Sequence, residues 1–248
     1  MCCGCRTRKL SLVAEIEAAI FGLRRVKLLQ GLTDEALESV ARVCSWRRYD
    51  AGKAVITRSS ASRDLFILVS GRVRVTVYTE SGKQVTFRDL AEGDTVGEIA
   101  AVDGGPRSVD VLALTEVLVA MMAPADLNAL LRENPVVAER FTRHLVQLIR
   151  RLTETVLELS TLGVVNRIHA DPLRLASDAG AEPMGSCLLS PAPRHADIAA
   201  RVSTTREQVT REISVLAKRG LLTKHPEGML ISDVNALDSM VERASHDA

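Results

Sequence analysis

One run of residues restricts the fold more than any other: Val-Gly-Glu-Ile-Ala-Ala-Val-Asp-Gly-Gly-Pro-Arg-Ser-Val-Asp-Val, from Val96 to Val111. It opens on Gly97 with the carboxylate of Glu98 beside it, crosses Ile99 and Ala100 with room for one helical turn, and breaks at Gly104-Gly105-Pro106. It then delivers Arg107 and Ser108 at the mouth of a strand. A glycine lets backbone amides approach an anion because it has no Cβ. An arginine supplies a planar fork of donors that suits phosphate oxygens, and an ionised glutamate, which only accepts, suits sugar hydroxyls. The run therefore reads as a pocket for a sugar phosphate. The alternative is a plain β-hairpin in which Glu98 and Arg107 pair on a surface.

The flanking sequence has the period of strands. Tyr49 to Ile56, Leu65 to Val69, Arg72 to Thr79 and Val85 to Asp89 are short runs rich in Val, Ile, Tyr and Phe, punctuated at Asp50-Ala51-Gly52, Ser70-Gly71 and Glu80-Ser81-Gly82. Arg72 to Tyr78 alternates polar and apolar, as a strand with one wet face requires. Val109 to Met122 reads as the final strand, so the pocket run lies inside a β-sandwich or jelly roll.

Helical spacing brackets this region. Leu12, Ile16, Ile20 and Leu23 predict an amphipathic helix over 10–29, with Arg24, Arg25 and Lys27 as a solvated face. Thr33, followed by Asp34 and Glu35, caps a second helix reaching about Cys44. Pro124 to Arg132 reads as a short helix. A long one then runs from Val136 to Leu162, where Phe141, Leu145, Leu148, Leu152, Thr155, Leu159 and Leu162 step by four and three. That heptad spacing predicts a two-helix coiled coil with a second copy of the chain. The alternative is a helix packed on its own domain. Gly163 to Asn166 reads as a hinge, Arg167 to Ser177 as helix, and Asp178 to Pro193 as a polar loop.

The last segment carries a second constellation. Ile198, Val202, Val209, Ile213 and Leu216 make the inner face of two helices, Ala199 permits close approach, and Thr204 or Thr205 caps the second helix. This is helix-turn-helix spacing, with a two-helix packing unit without a DNA role as the alternative. Arg206, Glu207 and Arg211 fall near one face of the second helix, whose N-terminal half enters a major groove, where arginine grips guanine and glutamate accepts from cytosine. Thr204, Thr205, Lys218 and Lys224 are candidates for phosphate contacts, which position without specifying. Gly220 to Ile231 reads as a small β-wing and Val234 to Ala244 as a terminal helix.

Composition sets limits. The chain has 46% hydrophobic, 25% charged and only 3% aromatic residues, so the cores must be aliphatic. A net charge of +1 means that a polyanion would have to meet a local basic face. Cys2, Cys3 and Cys5 invite a metal reading, but adjacent cysteines wrap one ion poorly and match no zinc-knuckle spacing, so no metal is expected. The odd cysteine count without a secretory signal points to a reducing cytoplasm, and no apolar run approaches the roughly 20 residues of a membrane span.

Gly97, Glu98, Ile99, Ala100, Pro106, Arg107 and Ser108 resemble, in order and spacing, the phosphate-binding cassette of cyclic-nucleotide-binding domains, with Val96 where an aromatic is common and Val109 where alanine is usual. With the second constellation, the resemblance covers about Leu28 to Ser232 and extends to the Crp/Fnr superfamily of bacterial transcription regulators. It implies an α+β chain in four parts: an N-terminal extension (1–27), a cyclic-nucleotide-binding jelly roll (28–134), a dimerisation helix (135–163) and a winged helix-turn-helix (164–248).

The resemblance also implies roles. Arg107 takes the cyclic phosphate and Glu98 the ribose hydroxyl. The run Arg150-Arg151-Leu152-Thr153-Glu154-Thr155 resembles the family's central helix, which implies Arg151 and Thr155 at the purine, with Val156 where a serine is found. The implied ligand is a cyclic nucleotide, with cyclic AMP favoured and cyclic GMP the alternative. The implied partners are double-stranded DNA bearing TGTGA-like half-sites in a palindrome, a second copy of the chain, and RNA polymerase. A regulator with a redox or other small-molecule input is the rival within the same class. A hydrolase of cyclic nucleotides is disfavoured, because His144, His169, His195, His225 and His246 are scattered without a paired-metal Asp set.

Overall fold

A computed structural model of the 248-residue chain describes residues 20–80, 82–182 and 185–246. The expected start of the first helix and the cysteines at 2, 3 and 5 lie outside them. The chain divides into two compact units, Met1–Val77 with Phe87–Leu145, and Tyr78–Thr86 with Val146–Ala248.

The first unit is built on two four-stranded sheets. One orders β1 (Ser45–Tyr49), β8 (Val117–Met122), β3 (Leu65–Ser70) and β6 (Thr95–Val96); the other orders β2 (Ala54–Ile56), β7 (Asp110–Ala113), β4 (Arg72–Tyr78) and β5 (Gln84–Ala91). Strand β3 explains why Leu65 to Val69 is apolar throughout. Phe66 and Leu68 face Val73, Val75, Val111 and Val119 between the sheets, while Leu65, Ile67 and Val69 face a second layer. That layer is covered by α1 (Asp34–Val43), α3 (Pro124–Glu133) and the first turns of α4 (Pro135–Thr161), through Leu37, Leu127, Val137 and Phe141. A strand buried on both faces loses the alternation that a half-wet strand keeps.

Three expectations for this unit change. Val109 to Met122 is two strands in different sheets, because the chain turns at 114–116 to cross from one layer to the other. Tyr49 to Ile56 is likewise split at its glycine turn. The helix expected over 10–29 ends at Leu23; a turn at Arg24-Arg25 and one 3-10 turn, Lys27–Leu29, follow. The turn is fixed by Gly93, whose carbonyl accepts the Lys27 N–H at 3.1 Å and whose missing Cβ would lie 2.7 Å from the Arg25 carbonyl oxygen. This docks Val26, Leu28 and Leu29 in the core, and Arg24, Arg25 and Lys27 pair at the surface with Asp34, Glu92 and Asp94.

The second unit holds α5 (Val164–Asp178), α6 (His195–Arg201), α7 (Arg206–Lys218) and α8 (Val234–His246), with a small sheet ordered β10 (Leu222–His225), β11 (Gly228–Ile231), β9 (Cys187–Leu189). Strand β9 lies within the expected polar loop; Cys187 and Leu189 turn inward beside Leu216, Leu222 and Ile231, which a three-residue run is too short to signal. Of the stretch expected as a hinge, Gly163 to Asn166, only Gly163 lies outside the helix, which it N-caps before Val164.

Along α4 the seam also shifts. Val137 and Phe141 are buried in the domain core and Leu145 packs against it, while Leu148 and Thr155 are half-covered. The exposed apolar stripe is Val146, Ile149, Leu152, Val156 and Leu159, with Ile149 62% and Val156 63% exposed. Heptad spacing allowed either neighbouring stripe, and only the packing of the first turns rotates the helix to this one. Among the described residues no helix is long and apolar enough to cross a membrane.

Candidate ligand pocket and nucleic-acid interface

The pocket begins where β6 ends. Gly97 caps α2 (Glu98–Asp103) with a φ of +93°, a conformation open to glycine at little cost. A Cβ there would lie 2.5 Å from Arg107 Nη1 and 3.1 Å from the Asp64 carbonyl oxygen. The glycine thus serves the close approach of an arginine as well as the turn.

Arg107 is 5% exposed. Nη1 donates to the Gly97 carbonyl at 3.2 Å, Nη2 donates to the Asp64 carbonyl at 2.8 Å and to the Ser62 hydroxyl at 3.3 Å, and the guanidinium lies 5.4 Å from the Phe66 ring. Nε is buried without a partner among the described residues. A buried donor on a fixed cation is a site for an anion. Burial presses the Arg107 pKa down while Asp64 opposes it, a change that leaves an arginine charged at neutral pH. Arg63, close enough to act in the same sense as burial, staples the preceding loop by donating from Nε to the Gly104 carbonyl and from Nη1 to the carbonyls of Ser60, Ala61 and Ser62.

Glu98 is 3% exposed, and its Oε1 accepts from the Thr95 hydroxyl at 3.0 Å. His144 Nε2 lies 2.8 Å from the same oxygen. Burial alone would raise its pKa, but the His144 hydrogen bond, the backbone amide and the charges of His144 and Arg88 hold it below the ordinary carboxylate range. The fold thus brings together Gly97, Glu98 and Arg107. Ala100 is buried behind them, whereas Ile99 and Ser108 are exposed. Arg151 is exposed on α4 and Thr155 half-buried, with the Thr155 hydroxyl donating to the Arg151 carbonyl at 2.9 Å. Ser62, Asp64, Arg63 and His144 carried no sequence signal. Asp64 acts through its backbone carbonyl, which any residue could offer, Ser62 through a hydroxyl 45 residues from Arg107, and His144 stands 46 residues from its partner.

In the second unit, α6 and α7 pack through Ile198, Ala199, Val202 and Val209. Ser203 takes a φ of +57° in the turn between them. Thr205 caps α7, its hydroxyl accepting the Gln208 N–H at 3.4 Å, and the Thr204 hydroxyl donates to Gln208 Oε1 at 2.9 Å. Arg206, Glu207, Arg211 and Lys218 on α7, and Lys224 on the wing, are exposed. Behind this face lie polar side chains withdrawn from solvent. Arg201 donates to both oxygens of Asp171 at 2.8 and 2.7 Å, and Glu212 lies 3.3 Å from His169. Arg167 donates to the carbonyl of Val202 in the turn and to that of Leu162 at the end of α4. An exposed helix bearing two arginines and a glutamate on a buttressed base has the form of a major-groove reader. Among the described residues no group of three His, Cys, Asp or Glu is placed to hold a metal.

Comparison with known proteins agrees with this division. Residues 46–134 match the model of the cyclic nucleotide-binding domain, and residues 139–240 that of the Crp-like helix-turn-helix domain. The chain is 25% identical over 215 residues to a CRP-like cAMP-activated global transcriptional regulator of Mycobacterium tuberculosis, covering 87% of this chain and 96% of that protein. It is 28% identical to the cyclic AMP receptor protein of Thermus thermophilus, over 86% of this chain and 95% of the other. The fold is similar to that of the c-di-GMP responsive global regulator CLP of Xanthomonas campestris, with a TM-score of 0.67 and 20% identity over 81% of this chain and 99% of that one. With a cyclic nucleotide-binding domain followed by a Crp-like helix-turn-helix domain, and with relatives that are regulators of the same build, the chain belongs to the Crp/Fnr superfamily of transcription regulators.

Proposed function

We propose that the protein is a cyclic-nucleotide-responsive, sequence-specific DNA-binding regulator that acts as a homodimer in the cytoplasm, on a palindrome with TGTGA-like half-sites. One observation carries the ligand reading: a buried guanidinium, immobilised by the carbonyls of Gly97 and Asp64, keeps Nε free beside the buried Glu98 carboxylate. A cyclised phosphodiester supplies the anion, and a ribose hydroxyl supplies the donor. Arg107 would hold the first and Glu98 the second, with Gly97 and Ala100 shaping the wall, and Arg151 and Thr155 meeting the base. Cyclic AMP is the favoured ligand, in keeping with the names of the two relatives.

The exposed stripe from Val146 to Leu159 on α4 has the spacing of a two-helix seam, and a second copy is the simplest cover for it. Arg206, Glu207 and Arg211 would read bases, and Thr204, Thr205, Lys218 and Lys224 would touch phosphates, with RNA polymerase as a further partner. Coupling requires only that nucleotide bind the DNA-competent form more tightly than the other.

Calorimetry with cyclic AMP and cyclic GMP, followed by titration of a palindromic duplex with and without ligand, tests the reading. Heat with one nucleotide, tighter DNA binding in its presence, and silence of both in Arg107→Ala are expected. DNA binding that persists with no heat for either nucleotide would replace the nucleotide with another input.

A further inference from the structure

The carboxylate expected to hold the sugar is itself held by a distant part of the chain. Thr95 is three residues from Glu98 and part of the same turn, but His144 comes from α4. The Glu98 side chain is 4% exposed and that of His144 27%, so the bond between them is largely withdrawn from solvent. Both contacts fall on Oε1. Securing one oxygen fixes the rotation of the carboxylate plane, and with it the direction in which Oε2 accepts. A hydrogen bond to an ionised group is also among the stronger ones available to a side chain.

We propose that His144 is a positioning residue of the pocket: by holding Glu98 Oε1, it aims Oε2 at the ligand's sugar hydroxyl and ties recognition of that hydroxyl to α4. The inference rests on the cyclic-nucleotide reading given above. In a 3′,5′-cyclic nucleotide the 2′-hydroxyl is the one sugar hydroxyl left free, so it is the group that Oε2 receives. His144 stands two residues before Val146, where the exposed stripe of the same helix begins. A ligand that pulls on Glu98 therefore pulls on the helix that carries the stripe.

The test is a calorimetric cycle on the full chain with cyclic AMP, cyclic GMP and the 2′-deoxy form of each. The unaltered protein is expected to favour its ribonucleotide over the deoxy form by about tenfold or more, the range for a hydrogen bond to a charged group. His144→Leu should weaken the ribonucleotide until the two forms bind within about twofold of one another, with the deoxy form nearly unchanged. His144→Gln, whose amide can still donate, should recover most of the preference. If His144→Leu misfolds, as judged by thermal unfolding, His144→Asn takes its place, polar but too short to reach Glu98. Equal loss of both forms would overturn the positioning role and leave His144 a packing residue. An unaltered protein that binds both forms equally would overturn it as well. Binding of none of the four ligands would instead bring down the nucleotide reading beneath it, an outcome distinct from either.

Discussion

Arg107 in the pocket and Arg206 on α7 carry the same side chain, but the fold treats them in opposite ways. Arg107 is 5% exposed, and the carbonyls that fix it come from two separate parts of the chain. Arg206 is exposed, and what the structure fixes is the helix beneath it: the Thr205 cap, the Val209 and Leu216 face, and the Arg201–Asp171 pair below. The pocket is pre-organised atom by atom, whereas the reader is pre-organised only as a backbone whose side chains settle on their target. Pocket substitutions should therefore disturb fold and ligand together, and reader substitutions should separate the two.

The largest expected effect tests whether the reader depends on buried charge at all. Asp171→Ala removes the bidentate partner of Arg201, whose side chain is 8% exposed, and should cost about 3–5 kcal/mol in chemical denaturation of the C-terminal region. A loss below about 1 kcal/mol would mean that Arg201 reaches water. Next comes Gly97→Ala, which combines a left-handed backbone with a Cβ inside the Arg107 contact; about 2–4 kcal/mol of stability should be lost, together with nucleotide heat. Retained heat would show that Arg107 can shift without consequence.

Arg206→Ala should leave the urea midpoint unchanged while costing about 1–3 kcal/mol on the cognate duplex, concentrated at one base pair. Equal loss on every sequence would make it a phosphate contact and erase its difference from Lys218. The smallest effect concerns pH. Glu98 has a folded pKa below its ordinary 4.5, so its contribution to stability is present above that value and lost as pH falls through the lower folded one. His144→Leu removes a lowering influence and should shrink the acid dependence of the melting temperature; an unchanged profile would mean that the backbone amide and Arg88 suffice.

Much of this molecule was legible because the relevant signals are local. The turn and carboxylate at Gly97-Glu98, the Thr33 and Thr205 caps, and the aliphatic face of α6 and α7 all lie within a few residues of the positions they control. Strand positions in the roll followed from β-branched runs and glycine turns. Short pieces escaped: Thr95–Val96 and Cys187–Leu189 make strands only because partners stand beside them. The break at 114–116 escaped because β7 and β8 are both apolar and only their assignment to different sheets separates them.

By itself, then, the sequence determined the order of most elements and the position of the two candidate sites in the chain, since period, capping and glycine conformation act over a few residues. The tertiary structure decided what depends on contact across the chain. It immobilised the Arg107 fork on Gly97 and Asp64, brought His144 to Glu98, and rotated α4 so that Ile149 and Val156, rather than Leu148 and Thr155, face outward. Two heptad stripes one residue apart are equivalent in a sequence. Burying Val137 and Phe141 breaks that equivalence, because a rigid helix must carry its later turns wherever its first turns are packed.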